Sequence, residues 1–155
     1  MAGVNISAKS DYAVRALLVL AADSSGRPIT AEALATAQDI PAKFLENILL
    51  DLRRGGLVAS QRGAEGGYRL SRPAGAISLA QVIRVVDGPL ANIRGVRPEE
   101  ASYEGPAAAL RDVWVAMRSA MRSVLESVTL ADVVAGDLPP SVATLTADPD
   151  AWSPH

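Results

Sequence analysis

Apolar and polar positions alternate along the first half of the chain in a way that predicts short helices and one hairpin. From Ile6 to Ala22, Tyr12, Ala13, Ala16, Leu17 and Leu20 fall three and four apart, the spacing of one helix face. Ser7 or Ser10 is placed to cap that helix. Asp23-Ser24-Ser25-Gly26-Arg27-Pro28 breaks the pattern and predicts a loop, with Ile29 as a short extended residue after it. Thr30 caps a second predicted helix, Ala31 to Gln38, with Leu34 and Ala37 toward the core. Glu32 falls at the second helical position, so the cap is not a full capping box. Asp39-Ile40-Pro41 is a tight turn into a third helix. Its apolar stripe is Phe44, Leu45, Ile48, Leu49 and Leu52, with Lys43, Glu46, Asn47, Leu50 and Arg54 off the centre of that stripe. Gly55-Gly56 ends it, since glycine accepts the left-handed conformation of a helix stop. Arg53 and Arg54 in the last turn suit the macrodipole.

Strand periodicity follows. Leu57 to Ser60 and Tyr68 to Leu70 read as two short strands joined by the glycine-rich turn Arg62-Gly63-Ala64-Glu65-Gly66-Gly67. Two helices joined by a three-residue turn, the second followed by a hairpin, make a winged helix-turn-helix. In that arrangement the second helix enters a DNA major groove and the hairpin tip reaches the adjacent minor groove or backbone. A helix followed by a hairpin also occurs in small α+β domains that bind nothing.

The second half has a different pattern. Ser78-Leu79-Ala80-Gln81 is a capping box, with Ile77 and Val82 as its hydrophobic staple, opening a helix from Leu79 to Val86 that stops at Asp87-Gly88-Pro89. Residues 89–105 read as irregular, and a loop of that length in a small domain is commonly functional or mobile. Pro106 is expected to open the longest helix, running to about Val128. Leu110, Trp114, Met117, Met121, Val124 and Val128 are spaced alternately four and three apart, which is a coiled-coil seam. Such a seam pairs two chains or is buried within one. Thr129 caps a short helix, Leu130 to Ala135, ended by Gly136. Asp137 to His155 holds four prolines and three aspartates and is expected as a flexible tail, with Trp152 free to dock or not.

The fold class expected is therefore mostly α with a small β-hairpin wing. Residues 1–88 are the DNA-binding domain and 89–105 a sensor or linker loop. Residues 106–136 form the dimerisation helix and a short following helix, and 137–155 the tail.

Composition narrows the function. The 155 residues are 49% hydrophobic but only 4% aromatic, so Ala, Val and Leu must build the core. The net charge of −2 argues against a general nucleic-acid coat. The distribution matters more: residues 1–88 carry 10 Lys+Arg against 8 Asp+Glu, residues 89–155 carry 5 against 9, and residues 43–72 carry 6 against 3. The positive excess sits on the proposed reading end. No run of ~18 apolar residues predicts a membrane span. Met1 to Ser10 lacks an apolar run of signal-peptide type, which leaves a soluble cytoplasmic protein as the expectation.

Catalytic chemistry is missing. The chain has no cysteine, so disulfides, thiolate metal sites and cysteine nucleophiles are excluded within it. The single histidine is His155, which leaves no internal base for a serine triad and no second imidazole for zinc. Gly63 to Gly67 lies between strands and opens no helix, so it fails as a dinucleotide fingerprint. Glu99, Glu100 and Glu104 form an acidic loop that is better read as solvated than as a cation site. No metal or cofactor is expected.

Ile6-Ser7-Ala8-Lys9-Ser10-Asp11-Tyr12-Ala13-Val14-Arg15-Ala16-Leu17 resembles the opening of the Rrf-two family of bacterial winged-helix transcription regulators (IscR/NsrR/CymR-type). Lys43-Phe44-Leu45-Glu46 and Leu52-Arg53-Arg54-Gly55-Gly56-Leu57-Val58 resemble its recognition helix and exit. Arg62-Gly63 with Gly66-Gly67-Tyr68-Arg69-Leu70 resembles its wing. Ile77 to Leu90, Trp114 and Thr129-Leu130-Ala131-Asp132 also match, and the resemblance spans about residues 4–136. It implies a homodimeric, sequence-specific DNA-binding repressor whose long helices cross to form the dimer. In many members the loop before the long helix carries three cysteines for an iron–sulfur cluster, and a Glu or His near the first helix completes the site. Here residues 89–105 have no cysteine, and near the first helix only Asp11 among Ala8, Lys9, Asp11 and Tyr12 has a ligating group. The cluster does not carry over.

The candidate residues follow. Lys43, Glu46 and Asn47 are expected to read bases, flanked on the recognition helix by Phe44 and Arg54. Arg62 with Gly63, Gly66 and Gly67 forms the wing tip, and Lys9 and Arg69 are expected phosphate contacts. The dimer seam is Leu110, Trp114, Met117, Met121, Val124 and Val128. Arg94, Arg97 and Tyr103 are candidate contacts for an unidentified small-molecule effector or protein partner. The competing function is a winged-helix protein–protein interaction module with little DNA affinity.

Overall fold

The computed structural model describes residues 5–155. Met1–Val4, where the signal-peptide reading begins, lie outside the described residues. The elements in order are α1 (Ala8–Ala22), α2 (Ala31–Gln38), α3 (Ala42–Arg54), β1 (Val58–Gln61), β2 (Gly67–Leu70), α4 (Leu79–Asp87), α5 (Leu110–Leu125), α6 (Leu130–Ala135) and α7 (Pro140–Thr146). The protein is mostly helical with one two-stranded antiparallel sheet, a winged helix-turn-helix.

Side-chain caps set the helix starts. Ser7, not Ser10, caps α1, accepting from the Ser10 amide at 3.0 Å. Ser10 is fully buried instead, and its hydroxyl donates to Asp87 Oδ2 at 2.5 Å, with Ser7 on the same carboxylate oxygen. The start of α1 is thereby tied to the end of α4. Thr30 caps α2. Asp39 takes the left-handed conformation at φ 52°, which turns the chain sharply into α3. The predicted capping box of Ser78 with Gln81 forms, and the Thr129 cap proves to be a second box, with Asp132.

One core joins these elements. Leu17, Leu34, Leu45, Ile48, Leu49, Leu52, Leu57, Ile77, Val82 and Leu130 are all buried in a single cluster. Two expected members are corrected. Ala37 is exposed and Ala35 is buried in its place, because α2 turns the Leu34–Ala35 edge inward. Phe44 is 47% exposed, about a quarter turn off the line of Leu45, Ile48 and Leu52.

The starts of α4 and α6 lie side by side. The Leu79 amide donates to Val128 O at 2.9 Å and the Leu130 amide to Ile77 O at 3.0 Å. This pairing places Leu130 in the core formed by the first 88 residues. It also corrects Val128, which is 3% exposed within its own chain and lies beyond the end of α5, so it is not part of an outward seam.

The long helix begins later than Pro106. Gly105, at φ 57°, and Pro106 form a 3-10 turn (Gly105–Ala107), and α5 starts at Leu110. The 89–105 segment is less irregular than expected. Ile93 and Val96 pair across a turn in which Arg94 (φ 50°) and Gly95 (φ 82°) both have positive φ. Ala91, Pro98 and Ala101 are buried. Residues 137–155, expected as a flexible tail, contain α7 and a final 3-10 turn (Pro149–Trp152). Ser127 and Ser141 hydroxyls meet at 2.5 Å between the end of α5 and α7. Trp152 is 73% exposed, but its indole N–H donates to Thr146 O at 2.7 Å. Pro139-Pro140 starts α7 rather than preventing it, since the first turn needs no amide donor.

Candidate nucleic-acid interface

Helix α3 buries Leu45, Ile48, Leu49 and Leu52 and turns its opposite side outward. Lys43, Asn47, Leu50 and Arg54 lie one turn apart along that outer side, with Glu46 beside them. Lys43, Glu46, Asn47 and Arg54 are exposed. Pro41 starts the helix without a side-chain cap, so its first-turn amides are not occupied by a capping side chain. Phe44 stands at this end with Tyr12 of α1 edge-on to it, ring centroids 5.8 Å apart. Arg15 stacks over Tyr12 at 5.0 Å, pairs with Asp11 at 3.0 Å and donates to Gln38 O at 2.8 Å. The aromatic ring that leaves the core thus packs on Tyr12 beside the exposed Lys43 and Asn47.

Strand β1 pairs with β2 in register Val58↔Leu70 through Gln61↔Gly67. Ile29 adds to the outer side of β2: its amide donates to Tyr68 O at 2.9 Å, and its carbonyl accepts from the Tyr68 amide at 2.7 Å. Arg62 and Gly63 are exposed at the tip, and Arg69 is exposed on β2. The three tip glycines differ in what requires them. A Cβ on Gly67 would lie 2.5 Å from the Ile29 carbonyl carbon, and one on Gly66 would strike Gln61 O. A Cβ on Gly63 (φ 101°) would meet nothing within 4 Å, so the freedom of this glycine serves the turn alone.

Lys9 does not stand free. Its ammonium pairs with Asp51 of α3 at 2.8 Å, holding α1 against the recognition helix. Arg53 donates to Ser60 Oγ at 3.3 Å, linking α3 to the wing. Sequence reasoning missed Arg27 and Arg72. With Arg69 they line a cleft of ≈ 290 Å³ beside β2, where the 23–29 loop approaches the wing. The Ile29–Tyr68 pairing helps bring Arg27 there, and no local pattern signals it.

The predicted seam lies on one side of α5. Leu110, Trp114, Met117, Met121 and Val124 are all half-buried, and no residue of α5 is fully buried by its own chain. Val113 on an adjoining face is 54% exposed. The three effector candidates separate. Tyr103 accepts from the Trp114 indole N–H at 3.1 Å and sits under Arg94 at 5.9 Å, so these two are engaged with each other and with α5. Arg97 instead lines a cavity of ≈ 410 Å³ with Arg84, Arg118 and Arg122.

The donor set does not fit an iron–sulfur cluster, which is held by cysteine thiolates. The chain has no cysteine, and no group of three His, Asp or Glu side chains converges among the described residues. Among the described residues, no helix is long and apolar enough to cross a membrane.

Comparison with known proteins agrees with this architecture. Residues 6–136 match the Rrf2 family, described as iron-dependent transcriptional regulators. An HTH-type transcriptional regulator of Mycobacterium tuberculosis is 52% identical over 145 residues, covering 94% of this chain and 90% of that protein. The structure of CymR, the global cysteine regulator of Bacillus subtilis, superposes with a TM-score of 0.73 at 32% identity, covering 85% of this chain and 97% of that one. The structure of T. potens IscR gives a TM-score of 0.70 at 28% identity over 99% of this chain and 94% of that one. With the recognition helix, the wing and the extent of these matches in agreement, the chain belongs to the Rrf2 (Rrf-two) family of HTH-type transcriptional regulators, as a DNA-binding member without cluster-binding cysteines and not an enzyme.

Proposed function

We propose that the protein is a homodimeric, sequence-specific repressor that binds an imperfect palindromic operator in the cytoplasm without an iron–sulfur cluster. The observation that carries this reading is the exposed face of α3. Lys43, Glu46 and Asn47 stand opposite the buried stripe, with hydrogen-bonding groups and no ion pair among the described residues. Lys donates to guanine, Glu accepts from cytosine N4 and Asn pairs with adenine, which together discriminate bases in a major groove. Arg62 at the wing tip and Arg54 supply phosphate or minor-groove contacts, and Arg69 lies on the same strand as the wing's anchor.

The half-covered stripe of α5 supports dimerisation. A helix whose apolar side is covered only in part by its own chain gains from a second copy. Two copies joined there present two recognition helices, and repression follows from occupying a promoter. The 89–105 segment connects the reading unit to α5, so an effector acting there changes the distance between two reading heads. Such a ligand must bind the two arrangements with different affinity.

Retention of the protein on random duplex DNA at low salt tests the DNA-binding part. The expected log–log decline of affinity with salt comes from phosphate contacts released as ions rebind. Salt-independent or absent retention contradicts it and favours a protein-interaction module.

A further inference from the structure

We propose that the arginine-lined cavity between α4, the 88–91 turn and α5 binds a small, multiply charged phosphate-bearing anion. The cavity measures ≈ 410 Å³, within the range of small-molecule sites and larger than a bare phosphate needs. Arg84 comes from α4, Arg97 from the segment after the tight turn, and Arg118 and Arg122 from α5. Glu99 is the one acidic residue on the lining.

The neighbouring carboxylates do not neutralise this cluster. Glu126 pairs with Arg84 at 2.5 Å and with Arg122 at 3.7 Å, and Glu99 pairs with Arg118. Two carboxylates thus face four guanidinium groups. Arg97 forms no ion pair among the described residues. Arg118 Nε is buried with no acceptor, so one donor of its fork lacks a partner. The clustering also runs against local composition, because residues 89–155 carry 5 basic against 9 acidic side chains. Planar guanidinium forks match phosphate oxygens in pairs, which favours a phosphate over a halide or a single carboxylate. None of the lining residues comes from α3, β1 or β2, so the anion is not the operator backbone held by the reading face.

Such a ligand bridges two units. Arg84 sits on α4, which packs on α1 and α3, whereas Arg118 and Arg122 sit on the seam helix. A phosphate drawing these together sets the angle between reading head and dimer axis. This regulatory consequence rests on the effector reading above; the binding site itself does not.

The test is calorimetric titration of the full chain with inorganic phosphate and with pyrophosphate, against chloride at matched ionic strength. One saturable pyrophosphate site per chain is expected. It should be weakened about tenfold or more in Arg97→Gln and in Arg122→Gln, two exposed positions whose replacement should leave the ligand-free melt unchanged. Arg54→Ala on α3 should leave uptake intact. No saturable uptake of either anion overturns the proposal, as does uptake that both cavity variants retain or that Arg54→Ala abolishes. Uptake lost in the cavity variants with DNA affinity unmoved by pyrophosphate upholds the site and counts against effector control through this segment. Absent uptake with effector control elsewhere intact sinks the site alone.

Discussion

Ile29 and Tyr68 exchange both of their backbone hydrogen bonds, which makes the wing a continuation of the chain entering α2. The residue before the helix-turn-helix therefore fixes the pitch of the hairpin that follows it. Gly67 is what lets the two backbones approach: its φ is 147°, and a Cβ there meets the Ile29 carbonyl carbon at 2.5 Å. Gly67→Ala should lower stability by about 1–3 kcal/mol and loosen the wing. Gly75→Ala is the control, because its Cβ would meet only Ala131 at 3.9 Å. Thermal melts of both variants check this, with a shift expected only for Gly67→Ala.

Glu46 lies on the exposed side of α3 among the base-reading candidates. Its replacement by Ala should relax preference at one base pair and cost about 1–3 kcal/mol on the specific site, with random-DNA affinity little changed. Titration against operators mutated one base pair at a time distinguishes this from a surface carboxylate, which would leave the profile as it was.

Arg62 is exposed at the wing tip, away from the core. Arg62→Ala should weaken operator binding and lower the salt slope by about one. The circular-dichroism melt should not move. Normal binding by this variant would return the wing to a purely structural role.

Much of the fold that presents the candidate face is legible in the chain, and the failures have identifiable physics. Caps are local, so Ser78 with Gln81 and Thr129 with Asp132 can be read directly. The buried stripe of α3 is legible too, but periodicity does not locate its edge, which is why Phe44 reads as a core residue and is not one. Val128 keeps the seam's spacing after the helix has ended, where the pairing of Leu79 with Val128 takes over. Helix α7 hides behind prolines that suit its first turn. The arginine cavity assembles Arg84, Arg97, Arg118 and Arg122 from separate elements, and no short window along the sequence contains them all. Lys9 reads as a phosphate contact in sequence, yet Asp51 pairs with it between α1 and α3.

Met117 is half-buried at the middle of the α5 stripe. Met117→Asp should give monomers that bind the operator poorly, because dimerisation would bury an unpaired carboxylate. Sedimentation at micromolar concentration checks it: the unmodified protein should be a dimer and the variant a monomer with an unchanged helical spectrum. A monomeric unmodified protein would leave the stripe as an internal feature of one chain.

Whether two copies of this chain read one DNA sequence together is tested most directly by selecting bound duplexes from a random library and sequencing them. The expected result is an enriched imperfect inverted repeat with half-sites about one helical turn apart, ~34 Å. Glu46→Ala should degrade the same position in both half-sites. A library that returns no enriched sequence, or a single unrepeated site indifferent to Glu46, would contradict the dimeric reading.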